Sequence, residues 1–280
     1  MMMSAVHLAQ EIRRRYLPSD ATPIRAARSI ARWSLARVYP RGVPVRIGTS
    51  GTFRIVPELA VGSLDYAAWG SGKNSGFTQW VAACRDARVI FDIGAHIGLY
   101  ALPASRVLAL GGRCYAFEPA MANRLALERH VALNDCTNIT VVPALVGECD
   151  ADAVGFYEQQ DVVGMNARVV RTDADRYHAT TRPQVTLDAF CAARGITPDV
   201  IKIDVEGAEL RVLRGAHATL ERARPRIFLS VHPQHLPLLG DSVAALAAEI
   251  DALGYDVRDP AGRAVTSFGH DEVVLHPRNS

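Results

Sequence analysis

Lysine is almost missing from this chain. Of its 31 basic residues only Lys73 and Lys202 are lysines, and the rest are arginines. A lysine inside an apolar run, as Lys202 is, therefore stands out. Cysteine is sparse too. Cys84, Cys114, Cys136, Cys149 and Cys191 are odd in number, widely spaced and never in a C-x-x-C pair. That argues against a disulfide framework and a cysteine-based zinc site, and for a reducing compartment. No apolar run approaches the ~18 residues of a membrane span, and none precedes the first charges as a signal peptide requires. A cytoplasmic protein is expected. Repeats and low-complexity stretches are absent, which argues against solenoid and fibrous classes.

What is present is ordinary for a globular protein: 280 residues, 49% apolar, 21% charged and a formal net charge of +2. The charge is uneven. Residues 1–46 carry nine arginines against Glu11 and Asp20, a formal +7 that leaves −5 on the remainder. Residues 5–16 and 23–39 have helical spacing around the breaker Leu17-Pro18-Ser19-Asp20. The expected organisation is an Arg-rich helical arm (1–44) on one large domain (45–280). The arm reads as a solvated appendage and a candidate surface for a second copy of the chain. A nucleic-acid or membrane-surface contact is the competing reading.

Residues 43–56 carry a hairpin signal around Thr49-Ser50-Gly51, and 70–76 (GSGKNSG) a polar loop before a helix near 76–85. From residue 88 apolar runs alternate with helical stretches: VIFDIG, RCYAFEP, NITVVPALVG, DVIKIDVEG and RPRIFLSVHP. Runs apolar at nearly every position are strands buried on both faces, as in a parallel sheet covered by helices. Residues 150–184 read as less regular, with 157–180 an irregular segment, and 255–258 and 272–276 as short closing strands. The fold class is α/β: a doubly wound, mostly parallel, seven-stranded, Rossmann-like sheet with an N-terminal helical appendage.

Two constellations carry chemistry. In Phe91-Asp92-Ile93-Gly94-Ala95-His96-Ile97-Gly98, glycines stand at a strand-to-helix turn, where a missing Cβ permits a tight bend and close ligand approach. Glu118, 20 residues beyond Gly98, ends the next strand, where a carboxylate accepts from ribose hydroxyls. A dinucleotide site prefers G-x-G-x-x-G. Here Asp92 precedes a single G-x-x-x-G and would repel a pyrophosphate; it suits the ammonium or sulfonium of S-adenosyl-L-methionine. In the second constellation, Ile201-Lys202-Ile203-Asp204-Val205-Glu206, alternation puts Lys202 and Asp204 on one face. Asp204 and Glu206 fall at the strand's carboxyl end, where such sheets hold their crevice.

The strings FDIGAHIGLYAL, YAFEPAMANRLALERHVALN and VTLDAFCAARGITPDVIKIDVEGAELRVLRGAHATLERARPRIFLSVHP resemble the FkbM family of S-adenosylmethionine-dependent methyltransferases, over about residues 70–235. The resemblance implies a cofactor site of Asp92, Gly94, Ala95, His96 and Gly98, with Glu118, Pro119 and Leu145 beyond it. It implies that Asp204 faces the transfer crevice with Glu206 close by, and Lys202 and His232 complete the candidate catalytic set. His96 replaces the family's usual Asn, and Ser230 stands where a Glu is common.

The activity implied is O-methylation of a hydroxylated small molecule, a natural product or a sugar. Asp204, Glu206 or His232 would take the proton. Asp204 and Glu206 could hold a divalent cation, but no further ligand cluster shows in the spacing, so metal-free transfer is the expectation. Lys73, Asn74, Tyr157 and Asn166 are candidate walls of the acceptor pocket. Two readings from other classes are a nicotinamide-dependent oxidoreductase and a nucleic-acid-binding protein acting through the arm.

Overall fold

The computed structural model describes residues 37–60, 66–71, 74–159, 168, 177–269 and 272–278. The helices expected at 5–16 and, up to residue 36, at 23–39 lie outside these residues, with the arm's role in subunit contact. Lys73 and Asn166 lie outside them too.

Strands β1 (Val43–Arg46) and β2 (Thr52–Ile55) form a hairpin, followed by the short helices α1 (Pro57–Ala60) and α2 (Phe77–Ala83). The chain continues through β3 (Val89–Ile93), α3 (Ala101–Ser105), β4 (Arg113–Phe117), α4 (Met121–Leu133) and β5 (Ile139–Val142). Then come β6 (Leu145–Val146), β7 (Ala151–Glu158), β8 (His178–Val185), α5 (Leu187–Arg194) and β9 (Val200–Ile203). The last elements are α6 (Glu209–Arg214), α7 (His217–Ala223), β10 (Arg226–Ser230), α8 (Val243–Ala252), β11 (Tyr255–Arg258) and β12 (Glu272–Pro277).

Seven strands build the central sheet in the order β11-β12-β10-β9-β3-β4-β5. The five from β10 to β5 are parallel; β12 runs antiparallel to β10, and β11 to β12. The apolar runs explain this. All four residues of β9 are buried, and so are Ile90 to Ile93 of β3, so these strands need cover on both faces. Alternation divides their side chains between two cores. Ile90, Cys114, Ala116 and Phe228 join Trp80, Leu102 and Leu127 on one face. Phe91, Ile93, Ile201, Ile203 and Leu229 join Phe190, Leu213 and Leu246 on the other. Winding proceeds outward from β3 to β5, then restarts at β9 on the opposite side of β3. The loops after β3 and β9 diverge there and open a crevice at the carboxyl ends.

One expectation is corrected. The less regular stretch 150–184 holds two strands the residue pattern did not show: β7 pairs antiparallel with β8, and β6 pairs parallel with β8, in a separate three-stranded sheet. Only Phe156 and Glu158 of β7 are buried, so the strand carries no apolar alternation to read. Among the described residues, no helix is long and apolar enough to cross a membrane.

The β1–β2 hairpin is fastened to the body by His130 of α4, which has no exposed surface. The Val56 N–H donates to Nε2 at 3.0 Å, and Nδ1 lies 2.8 Å from the Ile97 carbonyl oxygen. An acceptor on one side and a donor on the other define the neutral ring, and burial lowers its pKa in agreement. His130→Ala strands a buried donor and a buried acceptor and leaves a void. It should cost about 2–4 kcal/mol of unfolding free energy, read as a lower urea midpoint with unchanged slope.

Candidate active site

Register across the sheet sets the row Ala116, Asp92, Lys202, Phe228 on neighbouring strands. Asp92 and Lys202 are therefore adjacent in mid-sheet, 1% and 2% exposed. Lys202 Nζ donates to Asp204 Oδ2 at 3.0 Å and stands 4.3 Å from the Tyr100 ring centre. Burial alone would discharge this lysine, but Asp204, Asp92 and Glu272 overcome it and hold its pKa above the usual value. Lys202 is thus a fixed cation that pins Asp204, and not a proton acceptor. Neither oxygen of Asp92 meets a donor at ordinary hydrogen-bond geometry among the described residues, although the Ala101 amide comes near. Burial pushes Asp92 up to about 6, against the pull of Lys202.

The turn after β3 passes hard against the end of β9. A Cβ on Gly94 (φ +81°) would lie 1.9 Å from the Asp204 carbonyl oxygen, so no other residue fits. His96 adopts φ 51°, left-handed backbone that Asn and His enter more readily than most residues. The His96 N–H then donates to Glu118 Oε2 at 2.8 Å, and the Ala120 N–H to Oε1 at 2.9 Å. Even with these donors and the Asn123 amide, burial pushes Glu118 up to about 8.

These groups line one hollow. Asp92, Gly94, Ala95, His96, Glu118, Pro119, Leu145, Lys202, Asp204 and Glu206 all stand on its wall. Gly98 and His232 do not. A Cβ on Gly98 would lie 2.5 Å from Leu127 Cδ1, so this glycine serves packing against α4. Asn74 is on the wall, but Tyr157 is replaced by its neighbour Phe156, because successive residues of β7 point to opposite faces. The sequence reading also missed Trp69, Tyr100, Asn123, Val146 and Arg168. Nothing in their local pattern marks them. Nε and Nη1 of Arg168 are buried without a hydrogen-bond partner among the described residues.

At the carboxyl end of β9, Asp204 is held below the usual carboxylate range. Burial opposes this, but the charges of Lys202 and His232 prevail. His232 sits behind the wall, with Nε2 3.7 Å from Asp204 Oδ1 and 3.8 Å from Glu206 Oε1. Its Nδ1 lies 2.6 Å from Glu209 Oε1. His235 stacks on it, rings 5.7 Å apart and 4° from parallel, with Nδ1 3.2 Å from Glu206 Oε2. Asp204, Glu206 and His232 thus offer potential ligand atoms all within 4.8 Å of one another. Spacing alone hid this group, because its histidine comes from β10 by strand pairing. Glu272, opposite Ser230 in the β10–β12 ladder, brings a carboxylate to the same corner, where the Tyr100 hydroxyl donates to it at 3.4 Å.

A doubly wound sheet with its penultimate neighbour antiparallel, and an acid-lined hollow over the β3–β9 switch point, defines a class I methyltransferase fold. The methyltransferase FkbM domain matches residues 92–257, and the chain belongs to that family. It is similar to the hexuronic acid methyltransferase AglP of Haloferax volcanii, 26% identical over 178 residues, 62% of this chain and 70% of that protein. Among solved structures it is similar to the FkbM methyltransferase of Methylobacillus flagellatus KT, with 19% identity and a TM-score of 0.46. That likeness covers 89% of this chain but only 59% of the other. The O-methyltransferase of Bacillus cereus in complex with SAH shares 12% identity over 96% of this chain and 95% of that one, with a TM-score of 0.43.

The buried Glu118 yields a signed pH prediction. Its pKa in the fold, about 8, lies above the ordinary 4.5. The folded chain therefore holds the proton more tightly than the unfolded chain. The stability so gained is complete below pH ~4.5 and is lost as pH rises through about 8, at roughly 1.4 kcal/mol per pKa unit. Glu118→Gln should raise the melting temperature of the ligand-free protein at pH 8.5 and leave it nearly unchanged at pH 5. Equal shifts at both values would refute this.

Proposed function

We propose that this methyltransferase uses S-adenosyl-L-methionine to methylate a hydroxyl of a small molecule, with residues 45–280 as the catalytic unit and 1–44 as an accessory arm. One observation carries the reading: Asp92 and Glu118, both buried carboxylates, open onto the same hollow from the tips of adjacent strands. A buried carboxylate lacking a hydrogen bond, as Asp92 is, calls for a cation or donor. The ammonium of the cofactor supplies one, and the ribose diol supplies donors to Glu118. Leu145, Val146 and Phe156 form an apolar wall for a flat base. Gly94 keeps the floor between them free of side chain.

When bound, the cofactor supplies a methyl group already activated on a sulfonium. The chain's own contribution is to place the acceptor oxygen and remove its proton. Positioning of this kind is worth ~7 kcal/mol or more in favourable cases. Asp204 and Glu206 are the proton-accepting end, because they stand on the wall and Lys202 holds Asp204 in place. His232 acts from behind them. Trp69 and Tyr100 give the acceptor an aromatic surface, and Arg168 gives it a cation. A sugar bearing an acid group fits that combination, and hexuronic acid is the substrate class named for AglP.

Calorimetry with S-adenosylhomocysteine should show micromolar binding, with Asp92→Asn and Glu118→Gln each weakening it at least about tenfold, ~1.4 kcal/mol. The absence of any heat with the intact protein, or binding of NADH in its place, would overturn the reading.

A further inference from the structure

We propose that Glu272 is a positioning residue of the transfer site: from β12 it holds Lys202 and the Tyr100 ring beside it, and through them Asp204. Register supplies the placement. Lys202 lies opposite Phe228 of β10, and Phe228 opposite Val274 of β12. Residues directly opposite one another, and residues two apart on one strand, point to the same face. Ser230 and Glu272, opposite each other and two positions along from Phe228 and Val274, therefore share the face of Lys202. Ser230 brings no charge to that corner, and Glu272 does.

The contacts of the carboxylate say what it does there. The Tyr100 hydroxyl donates to Oε2 at 3.4 Å. Burial, and then the charge of Glu272, keeps that hydroxyl protonated. The Tyr100 ring centre in turn lies 4.3 Å from Lys202 Nζ, a cation on an aromatic face. On its other side the carboxylate packs on the start of α2. A Cβ on Gly76 would lie 2.6 Å from Glu272 Cδ, so any side chain there would displace the acid. Yet Oε1 closes no hydrogen bond of ordinary geometry among the described residues, although the Gly76 amide comes near. A buried acid kept for shape alone would be saturated with donors. Burial holds this one above the ordinary carboxylate range, and the charge of Lys202 draws it back. The attraction is mutual: burial works to discharge Lys202, and Asp204, Asp92 and Glu272 together outweigh it.

The three acids differ in one respect. Asp92 and Asp204 line the hollow, and Glu272 does not. In the function proposed above, Asp92 meets the cofactor's ammonium and Asp204 receives the acceptor's proton, so the charge of each is spent on a ligand. Glu272 is the partner that stays with the lysine throughout. This use rests on the methyltransferase reading; the hold on Lys202 does not. The test exploits the scarcity of lysine, since Lys73 and Lys202 are the only two. Lysine carrying ¹⁵N at Nζ and ¹³C at Cε gives one nuclear magnetic resonance signal for each, and Lys73→Arg tells them apart. The midpoint of the Lys202 titration should fall by about one pH unit or more in Glu272→Gln, a tenfold or greater loss of proton affinity. It should recover in the exchange of Ser230→Glu with Glu272→Ser, because directly opposite residues have Cβ atoms only ~4.5–5.5 Å apart. Circular dichroism reports whether each variant is folded. A folded Glu272→Gln variant with an unmoved Lys202 midpoint overturns the proposal. So does a folded exchange variant that stays as low as Glu272→Gln, since a carboxylate at this corner is then not what holds the lysine. Calorimetry with S-adenosylhomocysteine on the intact protein separates the two readings. Normal binding beside an unresponsive Lys202 overturns the placement and leaves the methyltransferase reading standing. No binding beside a Lys202 that responds to Glu272 supports the placement and overturns the cofactor reading.

Discussion

The adjacency of Asp92 and Lys202 in the middle of a buried sheet governs this site. Pairing of β3 with β9 puts them side by side, and both are almost wholly buried. Buried ions of opposite sign repay their desolvation only with good geometry and further partners. Here Lys202 has Asp204 and the face of Tyr100, while Asp92 has the lysine's charge but no closed hydrogen bond. The arrangement is lopsided. The cation is satisfied and one anion is left over, directed at the hollow. A pair evolved for stability alone would be balanced or apolar.

The same imbalance runs along the crevice. Asp92 and Glu118 are both pushed towards neutrality by burial, whereas Asp204 is held ionised by Lys202 and His232. Carboxylates of one type thus behave differently over a short distance, which is a mark of a functional site. Backbone conformation adds to this. His96 and Glu206 both occupy left-handed backbone (φ 51° and 53°) on the wall of the hollow. Side-chain-bearing residues in that region cost free energy, and tolerated strain concentrates where ligands bind.

Much of the fold was legible in the residue pattern. VIFDI and VIKI are apolar at nearly every position, and only a sheet covered on both faces accepts such strands. The β7–β8 pair was not legible, because its exposed, polar residues resemble a loop. The glycine turn with Glu118, and the acids at the end of β9, were readable as groups because their members lie close in sequence or at strand tips. His232 was readable at the end of the next strand, near the crevice, but not in its exact setting. It comes behind the carboxylates, and its partner Glu209 lies on a helix whose facing direction no spacing reveals.

The sequence by itself determined the local choices: where apolar runs become buried strands, where Gly94 must turn, and which strands end in acids. Those depend on neighbours a few residues apart. Tertiary structure alone decided which ends meet. Pairing β10 to β9 brought His232 to Asp204 and Glu206, the β10–β12 ladder carried Glu272 opposite Ser230, and the face that β7 turns to the hollow chose Phe156 over Tyr157. Such contacts join residues tens of positions apart, and the order of strands in the sheet, not any local preference, sets the distance between them.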